Sequence, residues 1–298
     1  MRHNFIVWWR QLPPIIRGAI WMVISGFFFS GLGVSIRMAS QDVHVFETVF
    51  FRNLFQLVIM LPWLMKIGFK GLRTEHLKLH ALRSASGVCA MFMWFWGFAF
   101  LPLAEATSLG FTAPLWATLG AIIILGETVR LRRWMALIIG FIGTLIILRP
   151  GLEAISTPAL LVLGGSVFVA GSTLCVKTLS NTESPNTMVL YMAMFMVPVS
   201  LIPLPFVWTM PSATGWMWLF GTGFFATFGH LCFNRAFIDV DASAVLPFEY
   251  SRLIIIAVIA FAMFNEIPDI WVWVGGAVIF GASIYIAHRE AKAARISE

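Results

Sequence analysis

Ten apolar runs divide the chain, at about 18–38, 44–65, 80–101, 104–125, 132–149, 158–178, 186–208, 215–237, 243–264 and 270–288. A run of roughly 20 apolar residues is what a helix needs to cross the hydrocarbon core of a bilayer. Inside that core every backbone N–H and C=O must be satisfied by the protein, so only helices or a closed barrel can span it. Barrel strands are about 10 residues long and alternate polar with apolar side chains, which these runs do not. The expected fold class is therefore an all-α membrane protein of ten transmembrane helices. Charge points the same way. Only 11% of the 298 residues are Asp, Glu, Lys or Arg, against about 25% in soluble domains. That excludes a large soluble domain, and the short polar intervals leave no room for a nucleotide-binding or catalytic headpiece.

The basic residues orient the spans. With a cytoplasmic N-terminus, 16 of the 20 Lys and Arg fall in inside regions, among them Lys66, Lys70, Lys78, Arg83, Arg130, Arg132 and Arg133. Only Arg37 and Arg149 fall outside, and Arg52 and Arg252 lie within spans. By the positive-inside rule both termini are expected in the cytoplasm, in a multi-pass protein of the bacterial inner membrane. The net charge of +6 then reflects topology. Its dispersal over separate loops speaks against nucleic acid as a partner. Arg2, Arg10 and Arg17 straddle Trp8, Trp9 and Pro13-Pro14, with no small-residue cleavage site, so residues 1–17 read as a cytoplasmic, interfacial segment. Cys89, Cys175 and Cys232 lie in apolar runs without disulfide or metal-ligand spacing, so neither a metal nor a cofactor is expected.

The two halves repeat. The first carries A-E-A-T at 104–107, G-E at 126–127, Trp134 and Gly143; the second carries D-A-S-A at 241–244, N-E at 265–266, Trp273 and Gly281. Glu127 precedes Trp134 by seven residues, and Glu266 precedes Trp273 by seven. Five spans per copy is an odd number, so the second copy enters the membrane from the opposite side. The loop charges agree: 126–133 holds three arginines, whereas 265–270 holds Glu266 and Asp269 and no basic residue. Two inverted five-helix repeats, 18–149 and 158–288, with a tail at 289–298, are expected. Such repeats recur in secondary transporters, with the substrate near the midplane between the halves.

Several stretches carry a resemblance. L-P-L-A-E-A-T-S-L-G-F-T-A-P-L at 101–115, with L-G-E-T at 125–128, resembles the fourth helix and its exit in the drug/metabolite transporter superfamily, EamA-type. V-F-F-R-N at 49–53 resembles its second-helix arginine signature. P-F-E-Y-S-R-L at 247–253, N-E-I-P-D at 265–269 and W-V-W-V-G-G-A at 271–277 resemble its ninth- and tenth-helix pattern. The resemblance implies that helices one to four and six to nine surround a central cavity and that helices five and ten sit at the periphery. It implies alternating access without ATP hydrolysis, for small organic molecules such as amino acids, S-adenosylmethionine, riboflavin or sugars. One departure is Asn265 where the pattern often has Gly, which questions the tightness of that turn.

Charges inside a bilayer are costly, so each buried one has a structural and a functional reading. Arg52 is either a cavity cation gripping a carboxylate or phosphate, with Asn53 beside it, or one half of an ion pair with Glu47. Glu249 and Arg252, three apart on the ninth helix, either satisfy each other or line the cavity with Tyr250 between them. His230, deep in the eighth helix with Asn234 one turn on, is a proton relay, a stacking ligand or a satisfied core histidine. Glu249, His230 and Glu47 are the candidates for proton coupling. Trp94, Trp96, Phe98 and Phe111 offer either a stacking surface or ordinary packing. Glu127 and Glu266 read as turn and cap residues. Gly26, Ser30 and Gly33 allow close helix approach, and a homodimer through helices five and ten is a candidate, with Ala277 and Gly281 as its contact in the tenth. The expected substrate site is Arg52, Asn53, Trp94, Phe111, His230, Glu249, Tyr250 and Arg252. The competing reading, a lipid-modifying membrane enzyme, lacks H-E-x-x-H, G-x-S-x-G or a D-x-x-D pair.

Overall fold

In the computed structural model the described residues are 12–68, 72–101, 103–110, 112–127, 131–148, 156–238, 240–265 and eight positions between 270 and 285. They form eleven helices and two 3-10 turns. The helices are α1 (Pro14–Ala39), α2 (Val45–Ile67), α3 (Leu77–Phe100), α4 (Leu103–Gly110), α5 (Ala113–Leu125), α6 (Leu131–Leu148), α7 (Thr157–Leu179), α8 (Pro185–Leu201), α9 (Ala213–Ala236), α10 (Ala242–Val245) and α11 (Ser251–Phe264). The described part is all-α. Nine of the ten expected spans are represented, and Phe111, Glu266, the N-terminal residues to 11 and most of the tenth span lie outside the described residues. Ala277 and Gly281, the expected dimer contact, are among the described positions, and both are exposed.

Local chemistry sets the boundaries. Ser156, Ser184 and Ser212 accept N–H bonds from Ala159, Thr187 and Gly215 at the starts of α7, α8 and α9, as N-caps do. Proline occupies the first turn of α1, α5, α7 and α8, where its missing N–H costs nothing. The ends of α5 and α11 are made alike. Gly126 (φ 67°, ψ 22°) and Asn265 (φ 54°, ψ 27°) both take the left-handed C-cap conformation. Asparagine tolerates that region almost alone among residues with a Cβ, so the departure at 265 leaves the turn unchanged.

Two spans expected as single helices are broken. The run 104–125 is α4 followed by α5, and 243–264 is α10, the 3-10 turn Leu246–Tyr250 and α11. Pro114 in the first turn of α5 has no N–H to give the Gly110 carbonyl, which instead accepts the Ser166 hydroxyl at 3.4 Å. Pro247 opens the 3-10 turn in the second break. The seventh span also ends early, at Leu201, with Pro203 and Pro205 in and beside the 3-10 turn Leu204–Phe206.

Packing shows the repeat. α1 lies most extensively on α9, and its counterpart α7 lies on α3. α2 packs on α9 as α8 packs on α3, and α11 meets α1 as α5 meets α7. The counterparts α2 and α8 pack on each other. The outer surface is apolar, with Met65, Ile123 and Ile124 projecting from it. Five of the described helical segments are long and apolar enough to cross a membrane by length and composition.

Candidate functional site

A cavity of about 150 Å³ opens between the two sets of helices. Its wall takes Phe29, Gly33 and Ile36 from α1, Arg52 from α2, Arg83, Met91, Trp94 and Phe98 from α3, and Thr173 and Val176 from α7. Met192 and Met196 of α8, His230 and Phe233 of α9, Glu249 of the 3-10 turn and Arg252 of α11 complete it. Five residues expected from the sequence therefore meet here: Arg52, Trp94, His230, Glu249 and Arg252.

Arg52 is almost fully buried. Its Nη1 donates to Asn53 Oδ1 at 2.6 Å and approaches Met196 Sδ at 4.0 Å. It forms no ion pair with Glu47, because Glu47 turns to the far loop and accepts from Thr209. Asn53 is not on the cavity wall. It holds Arg52 from behind, and its own Nδ2 donates to Ser200 Oγ at 3.4 Å.

Arg252 is 5% exposed and makes no hydrogen bond within the described residues. Its guanidinium carbon lies 5.6 Å from the ring centre of Phe29 and 5.8 Å from that of Trp94. These cation–π contacts fix the group's place without using its N–H donors. α1 can come this close because residue 26 is glycine; a Cβ there would sit 3.2 Å from Cβ of Arg252. Glu249 lies at the end of the 3-10 turn and Arg252 at the start of α11, and both side chains line the same cavity. No ion pair joins them within the described residues. Tyr250 instead points away from the cavity, its ring against Gly140 of α6.

Trp94 fits between two helices where a side chain is missing. A Cβ on Gly165 would meet its indole at 2.6 Å and one on Gly110 at 2.7 Å. Its Nε1–H has no hydrogen-bond partner among the described residues. His230 meets Phe29 edge-on at 5.0 Å, and its Nδ1 likewise has none among them. Glu127 behaves as a cap, accepting the Ala242 N–H at 3.1 Å.

One wall residue was placed elsewhere by the sequence. Arg83, assigned to an inside loop by its neighbours Lys78 and Arg73, lies six residues into α3 and is 1% exposed. It donates to the Met188 carbonyl at 2.8 Å and to Asn234 Oδ1 at 3.2 Å. Asn234, a polar residue one turn beyond His230 in an apolar helix, was the signal that could have found it.

Carboxylates pin the loops at the two ends of the bundle. At one end Asp42 Oδ2 accepts the Ser212 N–H and hydroxyl at 2.7 and 2.9 Å. Beside it Glu47 Oε1 accepts the Thr209 N–H and hydroxyl at 3.0 and 2.8 Å. At the other end Glu183 accepts the Thr74 hydroxyl and lies 3.9 Å from His80 Nε2, while Tyr191 stacks on His80 at 4.5 Å. Asp42 follows α1 and Glu183 follows its repeat counterpart α7, so equivalent loops make equivalent contacts at opposite ends. That is the inversion expected from five spans per copy. No group of His, Cys, Asp or Glu within the described residues is arranged to hold a metal.

Residues 16–149 and 156–287 each match the EamA-like transporter family. The chain is 32% identical to the riboflavin transporter of Vibrio cholerae, over 94% of this chain and 96% of that one. It is 30% identical to the S-adenosylmethionine uptake transporter of Rickettsia prowazekii, again over 94% and 96%. A protein solved by crystallography superposes with a TM-score of 0.72 at 15% identity, over 92% of this chain and 98% of its own, which shows a shared fold.

Proposed function

We infer the work of this chain from one premise: with both halves matched, it belongs to the EamA-like transporter family. It is a multi-pass membrane transporter of a small metabolite. The finer reading is a secondary transporter that moves a small polar organic solute, of the amino acid, S-adenosylmethionine or riboflavin kind, by alternating access. It does no enzymatic chemistry in this reading, and both termini lie in the cytoplasm.

The observation that carries it is the cavity, walled by both repeats and by buried cations. A scaffold has no need to bear the cost of charges inside a bilayer; a binding site does. The 3-10 turn that interrupts the run 243–264 supplies irregular backbone at the cavity wall, where Glu249 sits, the arrangement transporters use at a midplane site. Rocking of one set of helices against the other would release the Asp42–Glu47 contacts at one end and the Glu183 contacts at the other by turns. Glu249 and His230 are the wall groups that could hold a coupled proton.

The test is counterflow into proteoliposomes with radiolabelled amino acids, S-adenosylmethionine, riboflavin, nucleosides and sugars. Exchange of one class is expected, with at least one of Arg52→Ala and Glu249→Gln abolishing it at equal reconstitution. Exchange undiminished in both variants would remove this site. Turnover of a lipid with no solute movement would favour the enzyme.

A further inference from the structure

The wall of the cavity is unbalanced in charge. Three guanidiniums reach it, from Arg52, Arg83 and Arg252, against the single carboxylate of Glu249. The buried acid nearest in sequence to Arg52, Glu47, is turned to Thr209 and does not reach the wall. None of the three arginines pairs with an acid within the described residues. Each keeps a buried Nε with no hydrogen-bond partner, although buried donors are ordinarily satisfied.

The three differ in what they have left to give. Arg83 spends its two terminal nitrogens on the Met188 carbonyl and Asn234, so it acts as a fixed positive charge. Arg52 spends one on Asn53 and Met196. Arg252 spends none within the described residues; its guanidinium lies beside the Phe29 and Trp94 rings with its terminal N–H donors unused. A planar fork of unused donors in a desolvated, positive cavity matches an acidic group, which accepts two parallel N–H bonds.

Resting on the carrier reading above, and narrowing its solute from the amino acid, S-adenosylmethionine or riboflavin kinds to acidic molecules of that size, we propose that the cavity selects a solute of net negative charge, whose acidic group takes the unused N–H donors of Arg252 while Arg52 and Arg83 supply the surrounding positive potential. A ring on that solute would meet Trp94 and Phe98. Glu249 repels a second acid on its side of the cavity and accepts an N–H if the solute offers one. A neutral or cationic analogue of the same shape leaves the Arg252 donors unpaired and adds nothing against the two surplus charges.

The test holds shape constant and varies charge. Nicotinate, nicotinamide and 1-methylnicotinamide form one set; adenosine monophosphate, adenosine and S-adenosylmethionine form a larger one. Binding to the purified, detergent-solubilised full chain is read by thermal unfolding. The acid is expected to bind about tenfold or more tightly than its neutral and cationic partners in at least one set. Arg252→Gln should erase the preference, and Arg252→Lys should keep part of it, since the charge stays and the fork goes. Equal or tighter binding of the neutral or cationic member, or no binding by either acid, overturns the proposal. A preference that survives in a folded Arg252→Gln protein overturns it as well. Counterflow separates this from the carrier reading. Movement of neutral or cationic solutes without binding of acids keeps the carrier and removes the charge preference. Arg252-dependent binding of an acid without movement of any solute does the reverse.

Discussion

Thr209 and Glu47, 162 residues apart, are joined by two hydrogen bonds to one carboxylate oxygen, which accepts the Thr209 backbone N–H at 3.0 Å and its hydroxyl at 2.8 Å. Glu47 is fully buried, while Thr209 sits at the exposed end of the bundle. Hydrogen bonds to a charged group contribute about 1.5–3 kcal/mol each. Glu47→Ala should therefore lower thermal stability by an amount in that range or somewhat above, and Thr209→Val by about 1 kcal/mol. Unfolding in detergent measures both. An unchanged melting temperature in Glu47→Ala, with transport lost, would make Glu47 a proton carrier instead of a fastening.

The equivalent fastenings at opposite ends should act on opposite faces. Ser172 lines the cavity, and Ser172→Cys gives a reporter there. In vesicles of defined orientation, Asp42→Ala should speed its modification by a membrane-impermeant maleimide from one side. Glu183→Ala should speed it from the other. Acceleration from the same side in both would show that the two contacts do not govern separate openings.

Close approach of α1 to Arg252 makes residue 26 sensitive to size. Gly26→Ala asks Arg252 to give by a few tenths of an ångström and should be mild. Gly26→Leu overfills the contact, an error that costs about 1–3 kcal/mol, and it should also displace the guanidinium. Counterflow should fall far more in Gly26→Leu than in Gly26→Ala. Equal activity in the two would mean that Arg252 does not need its present position.

Trp94 should report on ligand. A bound solute at about 100 times its dissociation constant adds about 2.7 kcal/mol of stability. Trp94→Leu should reduce that gain and Trp94→Phe should largely keep it, because a ring face is retained. The same gain in wild type and Trp94→Leu would assign the indole to packing alone.

Much of this was written in the residue pattern, for a physical reason. Apolar runs of spanning length force helices, and a charge inside such a run has few places to go except a cavity. That is why Arg52, His230, Glu249 and Arg252 could be chosen in advance. Arg83 escaped because a basic residue six positions into a helix, next to Lys78, looks like an interface anchor until the partner helix with Asn234 is in place. The break between α4 and α5 and the one at 246–250 escaped because apolar composition runs straight through them. Only Pro114 and Pro247 marked them, and proline is tolerated in many membrane helices. Tyr250 was chosen for its neighbours in sequence, but the 3-10 geometry of its turn sends it to Gly140 of α6.

The surplus of guanidiniums on the cavity wall has an electrical consequence. With each group at its ordinary charge, three arginines and one glutamate give the empty site a net +2, and a monovalent acid lowers that to +1. An elementary charge moved through the membrane potential is worth about 2.3 kcal/mol per 100 mV. A site that changes which face it opens to carries that surplus through part of the field. Voltage then acts more strongly on the empty carrier than on the loaded one, and a potential step without solute should draw a transient current that the bound acid reduces.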